Sequence, residues 1–172
     1  MILLLTGGSG CGKSTYAEKI IRAIPSEKRV YIATMRVCDG ESVQRVRRHR
    51  AQRADMGFST VECPKNLGAV PIEPDSAVLL EDLPNLLANE MFDGGDPNRI
   101  LPQLRQLCEG CENLVIVTND VHSDGLRYEN PTLEYQRRLA EINREAAGLV
   151  DAVAEVVYSI PVYLKGESPC GF

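Results

Sequence analysis

The sequence contains no tryptophan, only three phenylalanines and six tyrosines, and only two histidines, His49 and His122. It also lacks any long apolar run. The longest, over residues 1–5, 77–80 and 114–117, hold four or five residues, whereas a membrane-spanning helix needs about 20. No helical span is therefore expected. A signal peptide needs a basic start and an apolar stretch of about 7–15 residues, and here five apolar residues run directly into Thr6-Gly7-Gly8. The expected location is the cytoplasm. In that reducing setting the six cysteines, Cys11, Cys38, Cys63, Cys108, Cys111 and Cys170, are expected as free thiols. Cys108-x-x-Cys111 has the spacing of half a zinc site, but no second pair follows to complete four ligands. Two thiols near a helix end are the simpler reading.

What is present is the composition of one soluble globular domain over residues 1–172, with 44% hydrophobic and 25% charged residues and a net charge of -5. A chain of this size buries about 70% of its unfolded surface and can hold a core without disulfides. Its acidic average hides a local reversal. Between residues 40 and 54 stand Arg45, Arg47, Arg48, Arg50 and Arg53 against Glu41, a local charge of +4 that leaves -9 for the remainder. Any function assigned to the chain has to account for those arginines.

Short apolar runs alternate with amphipathic stretches, the pattern of a mainly parallel sheet covered by helices on both faces, a three-layer α/β fold. Strands are predicted over 2–6, 30–33, 60–62, 77–81, 114–118 and 154–158, with a short one over 162–164. Helices are predicted over 13–23, 42–54, 85–92, 100–108 and 132–150. In the last helix Leu133, Leu139, Ile142, Ala146 and Leu149 are expected to form one apolar face, with Pro131 at its tolerant start. Asp93-Gly94-Gly95-Asp96-Pro97 reads as a loop. Ligands of parallel sheets bind at the carboxyl ends of the strands, so the chemistry is expected just after Thr6, Ala33, Glu62, Glu81 and Thr118.

Gly7-Gly8-Ser9-Gly10-Cys11-Gly12-Lys13-Ser14 fits the phosphate-binding pattern G-x-x-x-x-G-K-[ST] at every fixed position, after an apolar strand and at the start of a helix. Its glycines let backbone N–H groups turn inward, Lys13 can reach the outer phosphates, and the Ser14 hydroxyl can ligate Mg2+. The helix start adds its positive end. A second magnesium ligand is expected where an acidic residue closes an apolar strand. Val78-Leu79-Leu80-Glu81-Asp82 supplies it, with Glu81 the first candidate and Asp82 its rival.

On a helix Arg45, His49 and Arg53 share one face, flanked by Arg48 and Arg50. Imidazole among guanidinium groups is held towards its neutral form, and a neutral ring nitrogen can attack phosphorus while the arginines take up charge on the phosphate oxygens. His49 is thus a candidate nucleophile for phosphoryl or nucleotidyl transfer. A solvated basic helix with one surface histidine stays open as an alternative. A nucleic-acid contact is not expected: no aromatic residue lies between Tyr31 and Phe58 for base stacking, and the sequence pI of about 5.1 is acidic. Two wider alternatives also stand, a P-loop small-molecule kinase without a covalent intermediate and a nucleotide-gated binding module.

The ordered motifs Thr6-to-Ser14, Tyr31-Ile-Ala-Thr-Met35, Arg45-Val-Arg-Arg-His-Arg-Ala-Gln-Arg53, Thr60-Val-Glu62, Leu79-Leu-Glu81, Asn89 and Val117-Thr-Asn-Asp-Val121 carry a resemblance. The chain resembles the bifunctional adenosylcobinamide kinase and adenosylcobinamide-phosphate guanylyltransferase family of cobalamin synthesis over nearly its whole length. That resemblance implies a P-loop NTPase with a RecA-like core, assembled as a homotrimer. It implies guanylylation of His49, nucleotide contacts on the phosphate loop, Ala33, Thr34, Met35, Arg50, Ala51, Gln52, Arg53, Glu62 and Glu81, and Mg2+ on Ser14 and Glu81. Its implied substrates are ATP and GTP, with adenosylcobinamide and its phosphate as acceptors. The chain departs from the family's usual pattern at Gly10-Cys11, at Asp82, and at Arg137, Ala140 and Arg144 around Asn143.

Overall fold

The computed structural model describes residues 1–36, 56–120 and 130–168. Its seven strands are β1 (Ile2–Thr6), β2 (Arg29–Ala33), β3 (Phe58–Glu62), β4 (Ala77–Glu81), β5 (Asn113–Val117), β6 (Ala152–Val157) and β7 (Ile160–Lys165). Among the described residues the helices are α1 (Lys13–Ala23), α2 (Leu83–Phe92), α3 (Ile100–Gly110) and α4 (Asn130–Leu149). One sheet contains all the strands in the order β3-β2-β4-β5-β1-β6-β7. Every neighbouring pair is parallel except β6 with β7, which is antiparallel.

The unbroken apolar character of β1 follows from burial on both sides. Leu3 and Leu5 pack with α1 residues Ala17, Ile20 and Ile21 on one face, whereas Leu4 joins the core on the other face with Leu86, Leu104 and Leu139. Alternate strand residues point to opposite faces, so a strand covered twice has no polar side to show. The layers are therefore α1, the sheet, and α2 with α3 and α4. Strands and helices appear where the periodicity predicts them, with ends differing by a few residues. The predicted helix over 42–54 lies outside the described residues.

Helix α4 corrects the expected apolar face. Leu139, Ile142, Ala146 and Val150 are buried while Leu133 is 36% exposed and Leu149 only partly buried. The spacing explains this, because Tyr135, Leu139, Ile142, Ala146 and Val150 advance by fours and a three along one stripe, and Leu133 sits off it. The loop after α2 is as expected. Gly94 has φ +73°, and a Cβ on Gly95 would stand 1.9 Å from Glu90 Oε2. That buried carboxylate accepts from the backbone N–H groups of Asn66 (2.7 Å) and Asp96 (2.8 Å), joining the loop to the segment after β3.

Candidate active site

Six parallel strands, β1 to β6, deliver their carboxyl ends to one edge, and β1 ends there in the glycine loop. Gly7, Gly10 and Gly12 adopt φ values of +139°, +71° and +99°, a region that side chains rarely tolerate. Two of them also leave no room. A Cβ on Gly7 would stand 2.5 Å from the Val156 carbonyl oxygen, and one on Gly12 would stand 2.4 Å from Ser159 Oγ. Gly8, Ser9 and Gly10 are exposed, and Cys11 is half-buried. Helix α1 begins at Lys13 directly after this loop, which puts its unpaired N–H groups at the same place.

Lys13 is only 6% exposed. Its ammonium donates to the carbonyl oxygens of Gly7 (2.8 Å) and Gly8 (2.7 Å), and weakly to Cys11 Sγ (3.7 Å). The loop thus wraps its own cation, and anionic phosphate oxygens offer that cation a stronger partner than two neutral carbonyls.

Glu81 ends β4, separated from β1 by the intervening β5. Ser14 Oγ donates to Glu81 Oε1, and Tyr31 Oη donates to Oε2 at 3.0 Å. Burial raises the carboxyl above its usual range, while the Ser14 and Tyr31 hydrogen bonds pull it back. Asp82 does a different job. It is the N-cap of α2, its Oδ1 accepting from the Asn85 N–H at 2.8 Å and from the Asn85 side-chain amide at 2.9 Å. Between the two rivals, the geometry sets Glu81 beside the phosphate loop. Ser14 and Glu81 are hard oxygen donors in contact, the set that suits Mg2+, which takes one or two carboxylates and completes its shell with water and phosphate.

Behind this corner the structure tightens. Thr34 is fully buried: its N–H donates to the Glu81 carbonyl, its hydroxyl lies 3.0 Å from that oxygen and 2.8 Å from the Asp82 carbonyl, and the Asp82 N–H donates to the hydroxyl. Asn89 from α2 donates to the carbonyls of Thr34 (2.8 Å) and Pro64 (2.9 Å), holding the ends of β2 and β3 together. Replacing Asn89 by alanine strands one buried and one partly buried carbonyl and should lower the unfolding free energy by about 2 kcal/mol, read as a reduced urea midpoint with unchanged slope. Ala33 is half-buried, Met35 is 44% exposed, and Glu62 is exposed at the end of β3. His49, Arg50, Ala51, Gln52 and Arg53 lie outside the described residues, as do Cys38, His122 and Cys170.

A family model described as cobinamide kinase / cobinamide phosphate guanyltransferase matches residues 3–164. This chain belongs to the cobinamide kinase / cobinamide phosphate guanyltransferase family. The family resemblance read from the ordered motifs is borne out, and with it an enzyme that unites the two activities. Among relatives of this family, the bifunctional adenosylcobalamin biosynthesis protein CobU of Salmonella typhimurium is 31% identical, covering 96% of this chain and 100% of its own. CobU of Escherichia coli is 32% identical with the same coverage. The bifunctional adenosylcobalamin biosynthesis protein CobP of Pseudomonas aeruginosa is 33% identical over 95% of this chain and 97% of its own. In architecture this family member is similar to the flagellar accessory protein FlaH of Methanocaldococcus jannaschii, with TM-score 0.56 at 8% identity, covering 99% of this chain and 80% of that one. That likeness is one of fold, the expected RecA-like P-loop core.

Three contacts around the site escaped the sequence reading. Tyr31 was one motif residue among many, and its partnership with Glu81 spans 50 positions. Asn143 had no assigned role, and it accepts from the Thr118 hydroxyl at 2.7 Å and donates to the Asn119 carbonyl at 3.2 Å, tying α4 to the end of β5. The turn between β6 and β7 rests against the phosphate loop, with the Ser159 N–H donating to the Cys11 carbonyl at 2.8 Å. Cys108 and Cys111, whose spacing suggested half a zinc site, are free and buried at the end of α3. Burial pushes each thiol up to about 11, which keeps both protonated at neutral pH. Among the described residues no helix is long and apolar enough to cross a membrane.

Proposed function

We propose that this protein phosphorylates adenosylcobinamide with ATP or GTP and then transfers GMP from GTP to adenosylcobinamide phosphate through a guanylylated His49. The observation that carries the reading is the junction of β1 and α1, where the Lys13 ammonium lies inside its own loop and the Ser14 hydroxyl meets Glu81. In the kinase step the triphosphate replaces the Gly7 and Gly8 carbonyls as partner of Lys13. Loop N–H groups and the start of α1 hold the phosphates in line with the acceptor hydroxyl. Ser14 and Glu81 would hold Mg2+, which would offset the charge developing on the transferred phosphate. Tyr31 keeps the Glu81 carboxylate turned towards Ser14.

In the transfer step a neutral His49 nitrogen attacks the innermost phosphorus of GTP, forming a P–N bond as pyrophosphate leaves. A phosphate oxygen of adenosylcobinamide phosphate then displaces that nitrogen, giving adenosylcobinamide-GDP and free histidine. Ala33, Met35, Glu62 and Arg50 to Arg53 are the proposed contacts of the GMP portion, and Thr34 supports them from beneath. The proposed working form is a cytoplasmic homotrimer.

Incubation with adenosylcobinamide, ATP, GTP and Mg2+, followed by mass analysis of the corrinoid, tests the reading. Adenosylcobinamide phosphate should appear when GTP is replaced by a GTP analogue blocked at the inner phosphate. Adenosylcobinamide-GDP should appear with GTP itself. A corrinoid of unchanged mass under both conditions overturns the reading.

A further inference from the structure

The phosphate loop has two unlike flanks. On one side, beyond β5, β4 brings Glu81 to the Ser14 hydroxyl. On the other, β1 is bordered by β6. A phosphoryl donor whose terminal phosphate lies towards Glu81 extends its nucleoside the opposite way, over the carboxyl end of β6. That end is the two-residue turn Tyr158-Ser159, in which both φ values are positive, at 49° and 65°.

This turn is held against the loop at several points. The Ser159 N–H donates to the Cys11 carbonyl at 2.8 Å, and the Ser159 side chain fills the space beside Gly12 that any Cβ would need. One position earlier Tyr158 is 90% exposed. Turns with both residues at positive φ favour Asn, Asp and Gly, and a phenol ring left in water gains nothing from burial. Local conformation and packing therefore give no reason for an aromatic residue there. Its position beside the loop does.

We infer that Tyr158 is the stacking platform for the purine base of the nucleoside triphosphate that donates the phosphoryl group in the kinase step. The inference rests on the proposed nucleotide site at Lys13 and adds the nucleoside subsite to it. The contacts expected for GMP transfer, Ala33, Met35 and Glu62, lie on the opposite flank at the ends of β2 and β3, so the two steps use two nucleoside subsites around one phosphate loop. Stacking reads the face of a base and not its edge. ATP and GTP are therefore expected to bind with similar affinity as donors, and the smaller ring of CTP less tightly.

Calorimetric binding of ATP, GTP, CTP and inorganic tripolyphosphate to the wild type, Tyr158→Phe and Tyr158→Ala tests this. ATP should lose about tenfold in affinity in Tyr158→Ala and stay within about twofold in Tyr158→Phe, as base–aromatic stacking predicts. Tripolyphosphate, which has no base, should bind all three proteins equally. In turnover the Tyr158→Ala change should fall on the KM for ATP while kcat is kept. Unchanged ATP affinity in Tyr158→Ala overturns the inference, whether or not sedimentation shows a changed assembly through the neighbouring exposed Ile160 and Val162. A parallel loss of tripolyphosphate affinity also overturns it, leaving Tyr158 as a support of the loop. Wild-type protein that binds neither ATP nor tripolyphosphate overturns the nucleotide site itself, a result distinct from both.

Discussion

Lys13→Ala is expected to lower kcat for phosphoryl transfer to adenosylcobinamide by about 10²–10³-fold, the size of effect seen when one preorganised charge-stabilising group is removed. The reason lies in what surrounds the ammonium. It is buried and, among the described residues, bonded to neutral loop oxygens and weakly to a sulfur, so it is already placed, largely dehydrated, where transferring phosphate would gather charge. Alanine leaves the glycine backbone free to bind phosphate but removes the cation. Lys13→Arg should not restore activity, because a planar guanidinium cannot occupy a cradle built around a compact ammonium. The thermal midpoint should fall as well, since the freed Gly7 carbonyl lies in buried surroundings and only the Gly8 carbonyl can turn to water. A rate within a few-fold of wild type would remove the phosphate loop from the reaction.

The second large effect is expected at His49. Wild-type protein incubated with GTP and Mg2+ should gain the mass of one GMP residue, and His49→Ala should gain none. Five arginines stand between residues 45 and 53. In the proposed transfer step these arginines would offset charge on the entering phosphate. With the nucleophile gone, adenosylcobinamide phosphate should accumulate without conversion to adenosylcobinamide-GDP. An adduct of equal mass in the variant would place the covalent bond on another residue. No adduct in wild type, with adenosylcobinamide-GDP still formed, would mean direct displacement on GTP by the substrate phosphate.

Much of the fold was legible because the signals are local. The run at Leu3 to Leu5 needs two covered faces, Gly12-Lys13 needs a helix start after a tight turn, and Pro25 follows the end of α1. The misread face of α4 came from accepting a six-residue step between Leu133 and Leu139, which a 3.6-residue period does not allow. Asp82 was ambiguous for a similar reason: an acidic residue after a strand and before a helix can be a metal ligand or an N-cap, and only its bonds to Asn85 distinguish them.

By itself, then, the sequence determined the phosphate loop, the strands that end around it, the basic segment that carries His49 and the family to which the chain belongs. Each is a matter of residue type and short-range spacing. The tertiary structure alone decided which strand lies beside which. Strand order is set by long-range burial, and it brings Glu81 to Ser14 across 67 positions, Tyr31 to Glu81 across 50, and the Tyr158-Ser159 turn against Gly12. No local periodicity encodes those meetings, because each depends on how the covered faces of separate strands exclude water together.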